Sequence, residues 1–197
     1  MKKLLVVLGI LALVPGLAFA QVTYYVDYYS HNAGPVPGAP DQTVRIINVG
    51  LGGTPLTSPV GDICANIYVF DNNQEMIACC AQRITPNELD SASVGNQLTN
   101  NPVTSVVPWA GVIKIVLTPA GSTTCNASSF PDGASASLGV AFATHLQVTG
   151  GATFVTETGL SPANLSSYEA GFLPQACSFA KYLGSGKGTC TSSTPGK

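Results

Sequence analysis

Charge is scarce along this chain, and its scarcity removes several function classes at once. Only 9% of the 197 residues are Asp, Glu, Lys or Arg, against about 25% in ordinary soluble domains. Of the eight basic residues, Lys2 and Lys3 sit at the extreme N-terminus, leaving six against ten acidic ones elsewhere. With no basic patch, neither nucleic acid nor an anionic membrane surface meets a counter-charge, so no nucleic-acid partner is expected. Histidine is scarcer still: His31 and His145 are the only two. No Gly-x-Ser-x-Gly elbow accompanies them, so a Ser-His-Asp hydrolase lacks both its nucleophile and its base. Both histidines read as linker or surface residues. No Cys-x-x-Cys pair is present, which argues against a thiolate zinc site built from Cys64, Cys79, Cys80 and Cys125. No metal and no cofactor are expected. After the first twenty residues, no apolar run approaches the length of a membrane-crossing helix, so the mature chain is expected to have no membrane span.

What the chain does have begins with an export signal. Lys2-Lys3 precede an apolar run from Leu4 to Leu17, and Ala18-Phe19-Ala20 is a small-x-small cleavage site. Residues 1–20 therefore read as a signal peptide, and the mature chain as a secreted, extracellular or cell-surface protein. All six cysteines lie beyond that point, at positions 64, 79, 80, 125, 177 and 190. An even number in an oxidising compartment reads as three disulfides. Cys177 and Cys190 flank a glycine-rich turn and are expected to pair. Adjacent Cys79 and Cys80 point to opposite faces of a strand. One of them is expected to reach Cys64 across a hairpin while the other takes Cys125.

Apolar periodicity predicts mostly strands. VTYYVDYY (22–29) alternates with period two, placing Val22, Tyr24, Val26 and Tyr28 on one face and Thr23, Tyr25, Asp27 and Tyr29 on the other. The Pro/Gly-rich segment that follows reads as a stiff linker, able to span about 30 Å at roughly 3 Å per residue. Further strands are expected at 43–49, 63–70, 75–81 and 111–118. A short one is expected around 92–98, and strand-like residues occur at 103–107. The segments 137–148 and 152–158 form a hairpin about Gly150-Gly151. Short strands at such spacing, divided by Gly/Pro turns, indicate an all-β fold, an antiparallel β-sandwich of immunoglobulin-like type. Ser161-Pro162 reads as the start of a short or broken helix ending by 182. The expected organisation is signal peptide 1–20, tethered strand 21–31, linker 32–41, disulfide-stapled sandwich 42–160, and helical C-terminal appendage with tail 161–197.

Three segments, ICANIYVFDNNQEMIACC, NQLTNNPVTSVVPWAGVIKIV and CSFAKYLGSGKGTC, resemble a group of uncharacterised secreted, cysteine-containing bacterial proteins. The resemblance covers about residues 60–190 and is most specific in the NIYVFD…QEM…CC block. Members of the group carry a further Cys beyond the CC pair and another after GTC, where this chain has Gln82-Arg83 and Ser192-Ser193. The resemblance implies export and fold, and brings no catalytic residue with it.

Several constellations bear on chemistry. Gly184-Ser185-Gly186-Lys187-Gly188-Thr189 is not a phosphate loop, because Gly188 separates the Lys from the Thr. The carboxylates Asp62, Asp71, Glu75, Glu88, Asp90, Asp132, Glu157 and Glu169 contain no pair whose spacing alone sets up glycoside hydrolysis. Asp71 is expected to serve the hairpin turn. Tyr25, Tyr29 and Trp109 could form a stacking platform for an extracellular glycan. The expectation is a non-enzymatic, secreted structural or cell-surface protein whose partners are copies of itself. Its assembly strand would bury Val22, Tyr24, Val26 and Tyr28 in a neighbouring copy and build a filament. The alternative is a carbohydrate-binding or adhesive module.

Overall fold

The computed structural model describes residues 22–30, 41–50, 61–99, 108, 110–121, 124–129 and 132–183. These form β1 (Thr23–Ser30), β2 (Thr43–Asn48), β3 (Ile63–Asp71), β4 (Met76–Ile84), β5 (Leu89–Ser93), β6 (Ala110–Pro119), β7 (Gly139–Thr149), β8 (Ala152–Gly159), β9 (Pro162–Asn164) and α1 (Ser167–Leu183). A five-stranded sheet has the order β4-β3-β6-β1-β9, and a four-stranded sheet the order β5-β2-β7-β8. Every pairing is antiparallel. Tyr25, Ile67, Ile113 and Ile115 of the first sheet meet Val44, Ile46, Ala92 and Ala141 of the second in one core. The fold is an antiparallel β-sandwich with a helix near its C-terminus.

Local chemistry accounts for the turns. At the β3–β4 hairpin the Asp71 carboxylate accepts from the backbone N–H groups of Asn73 and Glu75, both at 2.9 Å. That arrangement supports the left-handed Gln74 at φ 70°. Between β7 and β8, Gly150 and Gly151 take φ of 59° and 80°, the pair of positive angles a two-residue hairpin demands. Strand β3 is buried on both faces, unlike a typical sandwich strand. Its inner face meets the other sheet. Its outer face, with Tyr68 and Phe70, lies under Leu173 and Cys177 of α1 and under Ala127.

The structure departs from the sequence reading at the helix. Pro162 does not open it. Pro162–Asn164 is β9, an edge strand on Thr23–Tyr25, where a missing N–H is tolerated. The helix begins five residues later, at a capping sequence: the Ser166 hydroxyl accepts from the Glu169 N–H at 3.1 Å. Pro174 lies inside α1 yet does not end it, because Leu173, Cys177 and Ala180 are buried against the sheet on either side of it. Residues 89–98 also differ from expectation. They are a strand to Ser93 and then a one-turn π-helix, Val94–Leu98. The Asp41 carboxylate accepts from the Ser93 hydroxyl and from the N–H groups of Gly95 and Asn96, and so caps that turn.

Disulfide connectivity differs too. Cys64 pairs with Cys125, and Cys79 with Cys177, at Cα separations of 5.4 and 5.7 Å. Cys177 is therefore not joined to Cys190, and neither Cys79 nor Cys80 reaches Cys64. The reason is facial. Cys64 and Cys79 lie on neighbouring strands, but each is taken by a segment folded over the outer face, the 124–129 loop or α1. Cys79 and Cys80 do point to opposite faces, Cys79 beneath α1 and Cys80 into the inter-sheet core. Cys80 is also disulfide-bonded; Cys190 lies outside the described residues.

Candidate functional surfaces

Strand β1 is inserted between two neighbours of its own chain. It pairs with β6 from Tyr25–Ile115 to Ser30–Ala110 and with β9 from Thr23–Asn164 to Tyr25–Pro162. The face expected to be buried is the less buried one. Tyr24 and Val26 pack beside α1's cluster, but Val22 and Tyr28 are exposed, Tyr28 at 56%. The opposite face enters the core.

Tyr25 and Tyr29, expected to be candidates for a sugar platform, are only 4% and 1% exposed. The Tyr25 hydroxyl is shared between the carbonyls of Ala136 and Gly139, at 3.0 and 2.9 Å, tying the two sheets together. The Tyr29 hydroxyl donates to the Phe70 carbonyl at 3.1 Å. Burial holds both phenols above their ordinary range, and the Asp71 charge adds to the effect at Tyr29. Neither ring offers a face to a ligand. Trp109 lies outside the described residues, as does His31.

His145 is not a surface residue. Its Nε2 lies 3.3 Å from an Asp27 carboxylate oxygen, with side chains only 8% and 11% exposed. The Tyr28 ring stacks on the imidazole at 4.7 Å. Burial pushes the Asp27 carboxyl above its ordinary range; the His145 charge and the Tyr28 backbone N–H act the other way, by less. The pair joins β1 to β7 across the sandwich. Sequence alternation put Asp27 on the face of Tyr25 and Tyr29, but nothing in the sequence linked it to a histidine 118 positions away.

The carboxylates are dispersed among structural duties. Asp62 pairs with Arg83 at 2.7 Å, Glu157 with Arg45 at 3.2 Å, and Glu169 with Lys114. Glu88 accepts from the Thr85 N–H and hydroxyl, both at 2.7 Å, and Asp71 serves its turn. Among the described residues, no group of three His, Cys, Asp or Glu side chains could hold a metal ion.

Among the described residues, two exposed apolar surfaces do not stand out from composition. Strand β8 is the outer strand of the second sheet, with Phe154 and Val155 exposed. Helix α1 shows an aromatic face to solvent, with Tyr168, Phe172, Phe179 and Tyr182 all exposed. The chain matches no protein-family model, no curated protein and no solved structure.

Proposed function

We propose that this chain is an exported structural or cell-surface protein that assembles with copies of itself by passing β1 from one copy to the next. The observation that carries the proposal is the position of β1. It is the first described element of the chain, it precedes the Pro/Gly-rich linker, and it fills a slot between β6 and β9 in a sheet whose other strands all follow that linker. A second copy's β1 can fill the same slot with the same register and the same core contacts, so exchange leaves the contact energy unchanged. Filling the slot is strongly favourable either way. Burying Tyr24, Tyr25 and Tyr29 contributes on the order of 5 to 9 kcal/mol before ordering costs, at about 1.5 to 3 each. Concentration and linker geometry then decide between self-pairing and exchange.

Export is supported by the leader-like residues 1–20 and by two long-range disulfides, which persist in oxidising compartments. No helix among the described residues is long and apolar enough to cross a membrane. The role proposed is non-enzymatic, since Asp27, Asp62, Glu157, Glu169 and His145 are engaged in ion pairs and Asp41, Asp71 and Glu88 hold turns.

The test uses the register. Tyr28 lies opposite Val112 on β6, so Tyr28→Cys with Val112→Cys places two thiols across the β1–β6 seam. Under oxidation, exchanged strands join different chains and give a ladder of covalent oligomers on non-reducing gels. Monomer alone refutes exchange. Covalent dimer alone marks reciprocal exchange in a closed pair and refutes the filament. A glycan array addresses the alternative carbohydrate-binding role, which requires selective, saturable binding.

A further inference from the structure

Helix α1 carries its exposed aromatic residues in a regular order. Tyr168, Phe172, Gln175, Phe179 and Tyr182 follow one another at spacings of four, three, four and three. That repeat places them in one stripe along about 21 Å of helix. The aromatic members are 76%, 37%, 63% and 81% exposed, and Gln175 is exposed between them. The opposite face of the helix is committed: Leu173, Cys177 and Ala180 are buried, Cys177 is bonded to β4, and Glu169 pairs with Lys114 of β6. The stripe is thus held outward on a docked helix, with Phe172 also stacked on Phe70 of β3 at 6.4 Å.

Its order is a palindrome. Reversed about Gln175, the stripe reads Tyr-Phe-Gln-Phe-Tyr again. A two-fold contact requires that residue i meet residue j and j meet i. An antiparallel pairing of two α1 helices about an axis at Gln175 satisfies this with like against like. Tyr168 meets Tyr182, Phe172 meets Phe179, and the two Gln175 amides face each other. The stripe contains no charge, so no like-charge contact opposes its doubling. A methyl-sized group at Gly171, beside the stripe, would touch nothing within 4 Å, leaving space there for a partner's ring.

We infer that this face of α1 is a two-fold interface with a second copy of the chain. Four aromatics of 150–250 Å² each, exposed to these extents, offer on the order of 500 Å² per copy. Fully covered in both copies, that is about 1,000 Å², the lower limit for a specific protein contact. The interface shares the premise of self-association with the proposed function but uses a different surface, so the two fail separately.

The experiment measures the mature full-length chain by sedimentation velocity between 1 and 100 µM, beside Phe179→Glu and Gln175→Cys. Both positions are solvent-exposed, so the fold, checked by circular dichroism, is retained. Phe179→Glu sets a charge against Phe172 of the other copy and should weaken the association at least tenfold. Gln175→Cys, on the axis, should give a covalent dimer under mild oxidation, whereas Asn73→Cys, at the exposed β3–β4 turn and off the two-fold axis, should not. An unchanged association constant in Phe179→Glu overturns the inference, as does a Gln175→Cys variant that cross-links no better than Asn73→Cys. Loss of the β1–β6 cross-link ladder with retention of the Gln175→Cys dimer would refute strand exchange and leave this interface standing.

Discussion

Removing the Cys79–Cys177 bond, by Cys79→Ala together with Cys177→Ala, should both destabilise the sandwich and release α1. The bond closes a chain separation of 98 residues. Cys64–Cys125 and the bond of the adjacent Cys80 already shorten that path, so the loop effectively closed is much smaller. Chain entropy then assigns the bond about 3 kcal/mol. For a domain of this size, that lowers the thermal midpoint by about 6 to 12 °C. The loss should also be local. A 17-residue helix is marginal in water on its own, and one with Gly171 and Pro174 in its interior is worse. Helical ellipticity should therefore melt before the sheet, and proteolysis should cut first between Leu165 and Leu183. Guanidinium unfolding of the double variant beside the wild type measures the first effect, and limited proteolysis the second. A loss below about 1 kcal/mol, or an α1 as protected as in the wild type, would refute the argument that this bond holds the helix.

Three further outcomes follow from buried groups. Folding raises the Asp27 carboxyl pKa from its ordinary 3.8, so its contribution to stability is complete below that value and is lost as pH rises through the folded pKa. Asp27→Asn should flatten that part of the stability–pH curve and leave the neutral-pH protein no less stable, and denaturation from pH 3 to 8 checks the sign. Tyr68→Phe removes the hydroxyl that donates to the Ala127 carbonyl at 2.8 Å; it should cost about 1 to 2 kcal/mol in chemical unfolding. Gly111→Ala would place a carbon 1.9 Å from the Phe70 carbonyl oxygen and 2.7 Å from the Tyr29 hydroxyl. It should lose more than about 2 kcal/mol, in contrast to Gly171→Ala, which meets open space.

Strands and hairpins were legible because their signals are local. VTYYVDYY, ICANIYVF and GVIKIVLT each carry β-branched or aromatic residues in one run, and Asp71 and Gly150-Gly151 mark their turns within a few positions. The facing of β1 was not legible, since both alternating faces of that strand hold tyrosines. Only packing against β7 and the Ala136 turn selects Tyr25 and Tyr29 for the core. Strand β9 was missed because a proline after a serine reads equally well as a helix start, and three residues carry no period. The true helix start did have a signal, the Ser166…Glu169 capping spacing. Disulfide partners depend on which segment crosses the outer face of the first sheet, and the Asp27–His145 pair on how the two sheets stack; no local pattern encodes either. The aromatic stripe on α1 was written in the sequence, but its exposure follows only from knowing which helix face Cys177 anchors.

Electron microscopy of the native protein at its natural concentration decides whether copies of the chain assemble. Passing β1 from copy to copy should give ordered assemblies with a regular subunit repeat. A uniform field of isolated particles the size of one chain would contradict it.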